Sequence, residues 1–323
     1  MHHPEFPVVT ILSAVFLLFP LPWHWSAGNV SMLSMIFWLF LSNIIYAVDS
    51  IVWAGNVNEV AVLWCDITTK IIIGSNVALP AACLSICIHL EQLASVRQAT
   101  QTQASKRRRQ YFELGLCFGL PAFVMALHYT VQGHRFDIIE DFGCRPATYI
   151  SWPSILLIWI LPIILAVLTL GFAACAFMHF MRRRANFAHH LEGRSSLTTT
   201  RYMRLILMSI FEMAWGLAIT CFALWFATLS YRPWTNWADV HSDWNRIDLY
   251  SIVFMPSFLL RDYIIVWWAV PISTWIFVLF FAFGHDAMEG YRAVGLWFQK
   301  HVLRRNVGKA GPTNSFSSKP SVR

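Results

Sequence analysis

The sequence predicts an all-α protein: a seven-helix transmembrane bundle with its N-terminus outside, then a cytoplasmic surface helix and a disordered tail. Three observations predict it. Only 13% of the 323 residues are charged, about half the share in a soluble domain, so a water-solvated fold would expose large apolar patches. The 57% hydrophobic content excludes disorder as the general state, because disorder needs low hydrophobicity and high charge. The apolar residues also gather into seven windows of about 20 residues or more, the length a helix needs to cross hydrocarbon.

In order, the windows are Pro7–Trp25, Val30–Trp53, Ile67–Ala94, Tyr111–Gln132, Ile155–Met181, Tyr202–Leu229 and Tyr263–Phe283, and they define a transmembrane domain over 1–285. The first has no Lys or Arg before it, so it reads as a retained signal anchor rather than a cleaved signal peptide. Trp23, Trp25, Trp53, Trp152, Trp267 and Trp268 fall at window edges, where an apolar ring with one N–H suits the membrane–water interface. Pro80, Pro121, Pro162 and Pro271 lie inside windows three, four, five and seven; each removes a backbone donor and bends its helix.

Lys and Arg orient the bundle. Most of the 24 fall in the loop 95–110, in the loop between windows five and six, and after window seven; the opposite loops hold Arg135, Arg145, Arg232, Arg246 and Arg261. The positive-inside rule then puts the tail in the cytoplasm and the N-terminus outside, which an odd number of spans requires. After window seven, Met288, Tyr291, Val294, Phe298 and Val302 recur every three or four residues with basic residues between them. That pattern predicts an amphipathic inner-leaflet helix over 286–305, followed by a polar tail over 306–323. Asn29-Val30-Ser31 matches a glycosylation acceptor, but it lies on the inner side and is expected to go unused.

Of the seven cysteines, only Cys65 and Cys144 fall in outer loops. An oxidising compartment favours a disulfide between them over two free thiols. The other five sit in windows as small core residues. The third outer loop, 230–262, carries Trp234, Trp237, Trp244, Asp239, Asp243 and Asp248 and no apolar run long enough to cross a membrane; it reads either as a lid over a ligand mouth or as packing against the other loops.

Polar groups inside spans are costly and invite a functional reading. Asn43, Asn76 and Glu212 fall near the midplane of windows two, three and six. They could form one network that reorganises on activation, or hydrogen bonds that only hold the bundle together. Asp49 and Lys70, in the outer halves of windows two and three, could pair with each other or line a ligand mouth. HExxH, GxSxG, Walker and CxxC motifs are missing, so the reading is not an enzyme, and no cofactor, metal or nucleic-acid partner is implied. A seven-span transporter of a small or lipidic solute is the alternative; it would predict internal repeats, and the two halves show no self-similarity.

Several ordered pieces carry a family resemblance. They are Pro20-Leu21-Pro22-Trp23-His24, Trp64-Cys65-Asp66-Ile67, Gln132-Gly133-His134-Arg135-Phe136, Glu140-Asp141-Phe142-Gly143-Cys144, Arg182-Arg183-Arg184-Ala185, Thr200-Arg201-Tyr202-Met203-Arg204-Leu205 and Trp237-Ala238-Asp239-Val240-His241. Together they resemble the fungal lipopeptide mating-pheromone receptors of the a-factor receptor type, basidiomycete members above all, over residues 7–292. The resemblance implies a class D G-protein-coupled receptor in the plasma membrane. It further implies a farnesylated peptide ligand and a heterotrimeric G protein feeding a MAP-kinase mating response. Members often carry a proline within span six, where this chain runs Ala214-Trp215-Gly216-Leu217 and Gly216 would supply the flexibility. On this reading Asp49, Asp66, Lys70, Trp237 and Trp268 are the expected ligand residues. Arg97, Arg182, Arg183, Arg201 and Arg204 are the expected G-protein contacts, although topology and anionic lipid also favour a basic inner face. Homodimerisation stays open.

Overall fold

The computed structural model describes residues 2–95, 103–182 and 199–282. Six helices among them are long and apolar enough to cross a membrane: Val30–Val52, Val62–Ala94, Gln103–Val131, Trp152–Arg182, Thr200–Thr228 and Ser257–Phe281. Ahead of them stand α1 (Glu5–Leu17) and α2 (Leu21–Ser26). At 1.5 Å per residue α1 is roughly 20 Å long, short of the ~30 Å hydrocarbon core. Pro20 interrupts the first window because it cannot donate the next backbone bond, and α2 resumes it.

Prolines also set the other irregularities. The fourth crossing runs α5 (Gln103–Leu114), a π turn at Gly115–Gly119, α6 (Leu120–Leu127) and a 3₁₀ turn at His128–Val131. The fifth runs α7 (Trp152–Ser154), a π segment at Ile155–Ile160 and α8 (Leu161–Arg182). Each π segment ends two residues before a proline, Pro121 or Pro162. A proline ring clashes with the carbonyl four residues back, and a wider turn moves that carbonyl aside. The seventh crossing breaks at Trp268, between α11 (Ser257–Trp267) and α12 (Ala269–Ala282), three residues before Pro271. The sixth, α9 (Thr199–Thr228), has no proline and stays continuous through Gly216.

α3 (Val30–Val52) is capped by Asn29, whose side chain accepts from the Met32 amide at 3.4 Å. Ser31 is buried and donates to Ser85 Oγ at 2.8 Å. α4 (Val62–Ala94) starts five residues before the expected Ile67 and carries Pro80 inside it. It is the central post: 78% of its apolar window is buried, against 28% for the fourth and fifth crossings, and it packs on α3, α6, α8 and α9. Cys83, Cys87 and Cys117 are core residues, as expected. Cys175 and Cys221 are exposed instead, on an outer surface that also shows Phe123, Ile164, Val167 and Phe211. A lipid solvent tolerates a thiol there as readily as the core does.

The loops at one end of the bundle form a small sheet. β1 (Phe136–Ile139) pairs antiparallel with β2 (Gly143–Arg145) and parallel with β3 (Ile247–Tyr250), in the order β2-β1-β3. The hairpin turn uses positive φ at Asp141 (63°) and Gly143 (75°). Cys144 is disulfide-bonded to Cys65 at the start of α4, which fastens the hairpin to the central helix. Between the sixth crossing and β3 stands a short helix, α10 (Trp237–Val240), capped by Asn236. The inner-leaflet helix expected over 286–305, the tail 306–323, Arg97 and Arg183 lie outside the described residues.

Candidate functional site

Between the sheet and the helices lies a cavity of 1080 Å³, just above the range of about 300–1,000 Å³ usual for pockets that hold small molecules. Its apolar wall includes Ile72 and Ile73 of α4, Trp159 of the fifth crossing, Phe226 of α9, and Tyr263 and Trp267 of α11. Its rim is charged, with Asp137 and Arg145 from the hairpin and Asp243, Arg246 and Asp248 from the third loop. An apolar interior under a polar rim suits a ligand that is greasy at one end and peptide-like at the other.

The rim side chains are bonded to one another. Asp137 and Asp248 are register partners on β1 and β3, an arrangement that repels by itself. His134 Nε2 lies 2.6 Å from Asp137 Oδ1 and 3.4 Å from Asp248 Oδ2, and Arg246 Nε lies 3.0 Å from Asp248 Oδ1. Burial pushes the Asp137 carboxyl above its ordinary range, and the hydrogen bond from His134 pulls it back. The spacing of His134, Asp137 and Asp248 would suit a metal ion. However, an Arg246 nitrogen sits 3.2 Å from His134 Nδ1, so a cation already stands against this trio.

The turn between β1 and β2 clamps the other loops. The buried Asp141 carboxylate accepts from the Gly55 amide at 2.7 Å and from the His2 amide at 2.6 Å. Glu140 accepts from Ser251 Oγ at 2.6 Å and the Ile252 amide at 2.9 Å. One hairpin thus ties the N-terminal segment, the first loop and the third loop together.

The expected ligand residues are each engaged by other side chains. Asp49 is buried and accepts from Trp64 Nε1 at 2.8 Å. Lys70 bonds Gln132 Oε1 and stands 3.1 Å from His128 Nδ1. The two keep separate partners rather than pairing: Asp49 is taken by Trp64 of α4, and Lys70 by Gln132 and His128 at the end of the fourth crossing. Asp66 takes Arg135 in a two-pronged bond, 2.8 Å to Nε and 2.6 Å to Nη2. Trp237, 47% exposed, stacks on His241 at 4.0 Å, and Trp268 meets Trp267 edge-on at 5.3 Å. None of the five lines the cavity. Asp66 and Arg135 are both partly solvated, so their coupling in a double-alanine cycle, read from thermal denaturation, is expected to be about 0.5–1 kcal/mol and to weaken in salt.

Two of the three midplane groups converge on the seventh crossing. Asn43 Nδ2 donates to Thr274 Oγ1 at 2.7 Å, and Glu212 has Ser273 beside its carboxyl. Asn76 does not join them; it faces the cavity. One turn above Ser273 and Thr274, Val270 is part of the cavity wall, so the polar contact stands directly below the ligand space. Arg182, Arg201 and Arg204 lie at the ends of α8 and α9 away from the lid loops.

Sequence reasoning missed the sheet, the Glu140–Asp141 clamp and the His134–Asp137–Asp248–Arg246 rim. The alternation in Phe136-Asp137-Ile138, running into Gly143, is the local signal that could have marked the hairpin.

With this geometry established, the comparisons are specific. The profile of STE3, pheromone A receptor, matches residues 5–299. The chain is 57% identical over 295 residues to the pheromone B beta 1 receptor of Schizophyllum commune, covering 90% of this chain and 54% of that one. It is 32% identical over 303 residues to the pheromone B alpha 3 receptor of Schizophyllum commune, covering 91% and 48%. It is 28% identical over 296 residues to pheromone receptor 1 of Mycosarcoma maydis, covering 88% and 82%. The chain spans about half the length of the two Schizophyllum receptors. A match over nearly the whole helical bundle decides the matter: the chain belongs to the STE3 family of pheromone A receptors, a family of seven-span receptors and not of enzymes.

Proposed function

We propose that this chain receives a short farnesylated peptide pheromone at the outer face of the plasma membrane and passes the signal to a heterotrimeric G protein and a MAP-kinase mating response. The observation that carries this reading is the 1080 Å³ cavity with an apolar wall and a charged rim. Its wall suits a farnesyl chain, whose burial is worth about 0.8 kcal/mol per CH₂, and its rim suits a peptide backbone. The Cys65–Cys144 bond supports an outer, oxidising location for the lid and hence an outer N-terminus. In this reading Trp237 touches the peptide, while Asp49, Asp66, Lys70 and Trp268 hold the lid and the cavity floor in place. Asn43 and Glu212 hold α12 through Thr274 and Ser273, and Asn76 meets the ligand. A ligand that binds the active arrangement more tightly shifts the bundle toward it. Arg182, Arg201 and Arg204, with Arg97 and Arg183, then meet the G protein.

The test is expression in yeast carrying a mating reporter, challenged with farnesylated peptides and their unmodified forms. The farnesylated peptides should activate and the unmodified ones should not; silence toward every peptide despite surface expression overturns the proposal. Ala223, half-buried on α9, lines the cavity. Ala223→Phe should leave surface expression unchanged and raise the pheromone concentration for half-response at least about tenfold, a loss on the order of 1.4 kcal/mol of binding.

A further inference from the structure

Val253 and Phe254 are 77% and 88% exposed, more than any other large hydrophobic side chain among the described residues. They sit on a 3₁₀ turn, Ile252–Phe254, just after β3. The turn is held firmly. Glu140 accepts from the Ser251 hydroxyl and the Ile252 amide, and the Phe254 and Met255 amides close the turn on Ser251 and Ile252 at 3.1 Å. The pair is therefore presented by a clamped backbone. Neither residue lines the cavity, so the ligand space does not account for them.

We propose that this turn is a membrane anchor: Val253 and Phe254 insert into the phospholipid interface beside the seventh crossing and hold the third loop against the bilayer. Three features of the chain favour lipid over another occupant. The membrane helix begins at Ser257, three residues on, and the polar interface extends about 5–7 Å beyond the hydrocarbon on each side. Large apolar side chains are exposed on both sides of that junction, with Phe258 55% exposed on the first turn of α11. Next comes Arg261, whose side chain is 66% exposed while it bonds the buried Asp262 at 3.1 Å. An arginine at that depth lays its stem on apolar surface and offers its head to lipid phosphate. Phe258 and Leu259 also line the cavity, so the anchor rests one edge of the cavity on lipid.

Site-directed spin labelling tests this on the full chain in phosphatidylcholine vesicles, with no pheromone added, so its outcome is separate from that of the receptor reading. The exposed thiols are first removed as Cys175→Ser and Cys221→Ser. A nitroxide is then placed by Phe254→Cys, by Val253→Cys in a second variant, and by Asn245→Cys on the exposed rim as the aqueous control. Membrane insertion predicts collision with oxygen several-fold more frequent than with a water-soluble nickel chelate at 253 or 254, and the reverse at 245. Nickel access at 253 and 254 equal to that at 245 overturns the proposal. Shielding from both reagents also overturns it, because that result means a protein partner or a second copy covers the turn.

Discussion

Gly143→Val is expected to detach the lid. Gly143 has φ +75°, and a Cβ built there would lie 2.3 Å from Asp49 Cβ and 2.6 Å from Asp49 Cγ. The backbone of β2 therefore rests on the Asp49 side chain with no room for a substituent. An L-residue in the left-handed region costs about 1–2 kcal/mol, and forcing atoms into a packed contact adds about 1–3 kcal/mol. Such a loss is a sizeable part of the 5–15 kcal/mol that typically separates folded from unfolded. The measurement is the thermal midpoint of the purified chain in detergent, which should fall by about 2–4 °C per kcal/mol lost. Gly143→Ala should fall less than Gly143→Val. Asp49→Gly combined with Gly143→Ala should recover the steric share, while keeping the φ penalty and adding the loss of the Trp64–Asp49 bond and the cost of a glycine within α3. An unchanged midpoint for Gly143→Val would mean the hairpin does not rest on α3.

The bundle was legible in the sequence for a one-dimensional reason. A helix that crosses hydrocarbon must be apolar over about 20 consecutive residues, and such a run can be counted without knowing its neighbours. The prolines were legible as disturbances but not as outcomes. Pro121 and Pro162 produce π segments, whereas Pro80 leaves its helix in α form; the difference depends on packing that sequence does not carry. The sheet was illegible because its strands are three and four residues long, and because β1 pairs with a segment more than a hundred residues away. The same non-locality decided the polar groups. Asp49 and Lys70 stood out as costly charges in the outer halves of their spans, but their partners Trp64 and Gln132, like the Arg135 that Asp66 takes, follow from how separate segments fold over one another. The two outer cysteines were legible together because only two thiols shared a compartment.

Those two cysteines carry the other large effect. Cys65→Ser and Cys144→Ser should each lower surface expression and thermal midpoint by the same amount, and the double variant should be no worse than either single one. The bond closes a separation of 79 residues, and removing such a constraint typically costs roughly 2–5 kcal/mol. Both sulfurs are fully buried among Trp53, Phe136 and Ile138, so either change opens the same packed junction between the hairpin and α4. Equality is the informative result. Two residues that act only through one shared bond lose the same thing when either is changed, and their effects cannot add. Unequal defects, or a double variant twice as impaired, would show that the thiols pack separately. The loss should also reach beyond the hairpin. β3 is attached to the bundle's central helix through β1, β2 and this bond, so freeing Cys144 loosens the Asp137–Asp248 rim as well as the loop that contains it. Any variant that survives at the surface should therefore respond more weakly to pheromone even though no residue of the cavity wall has changed.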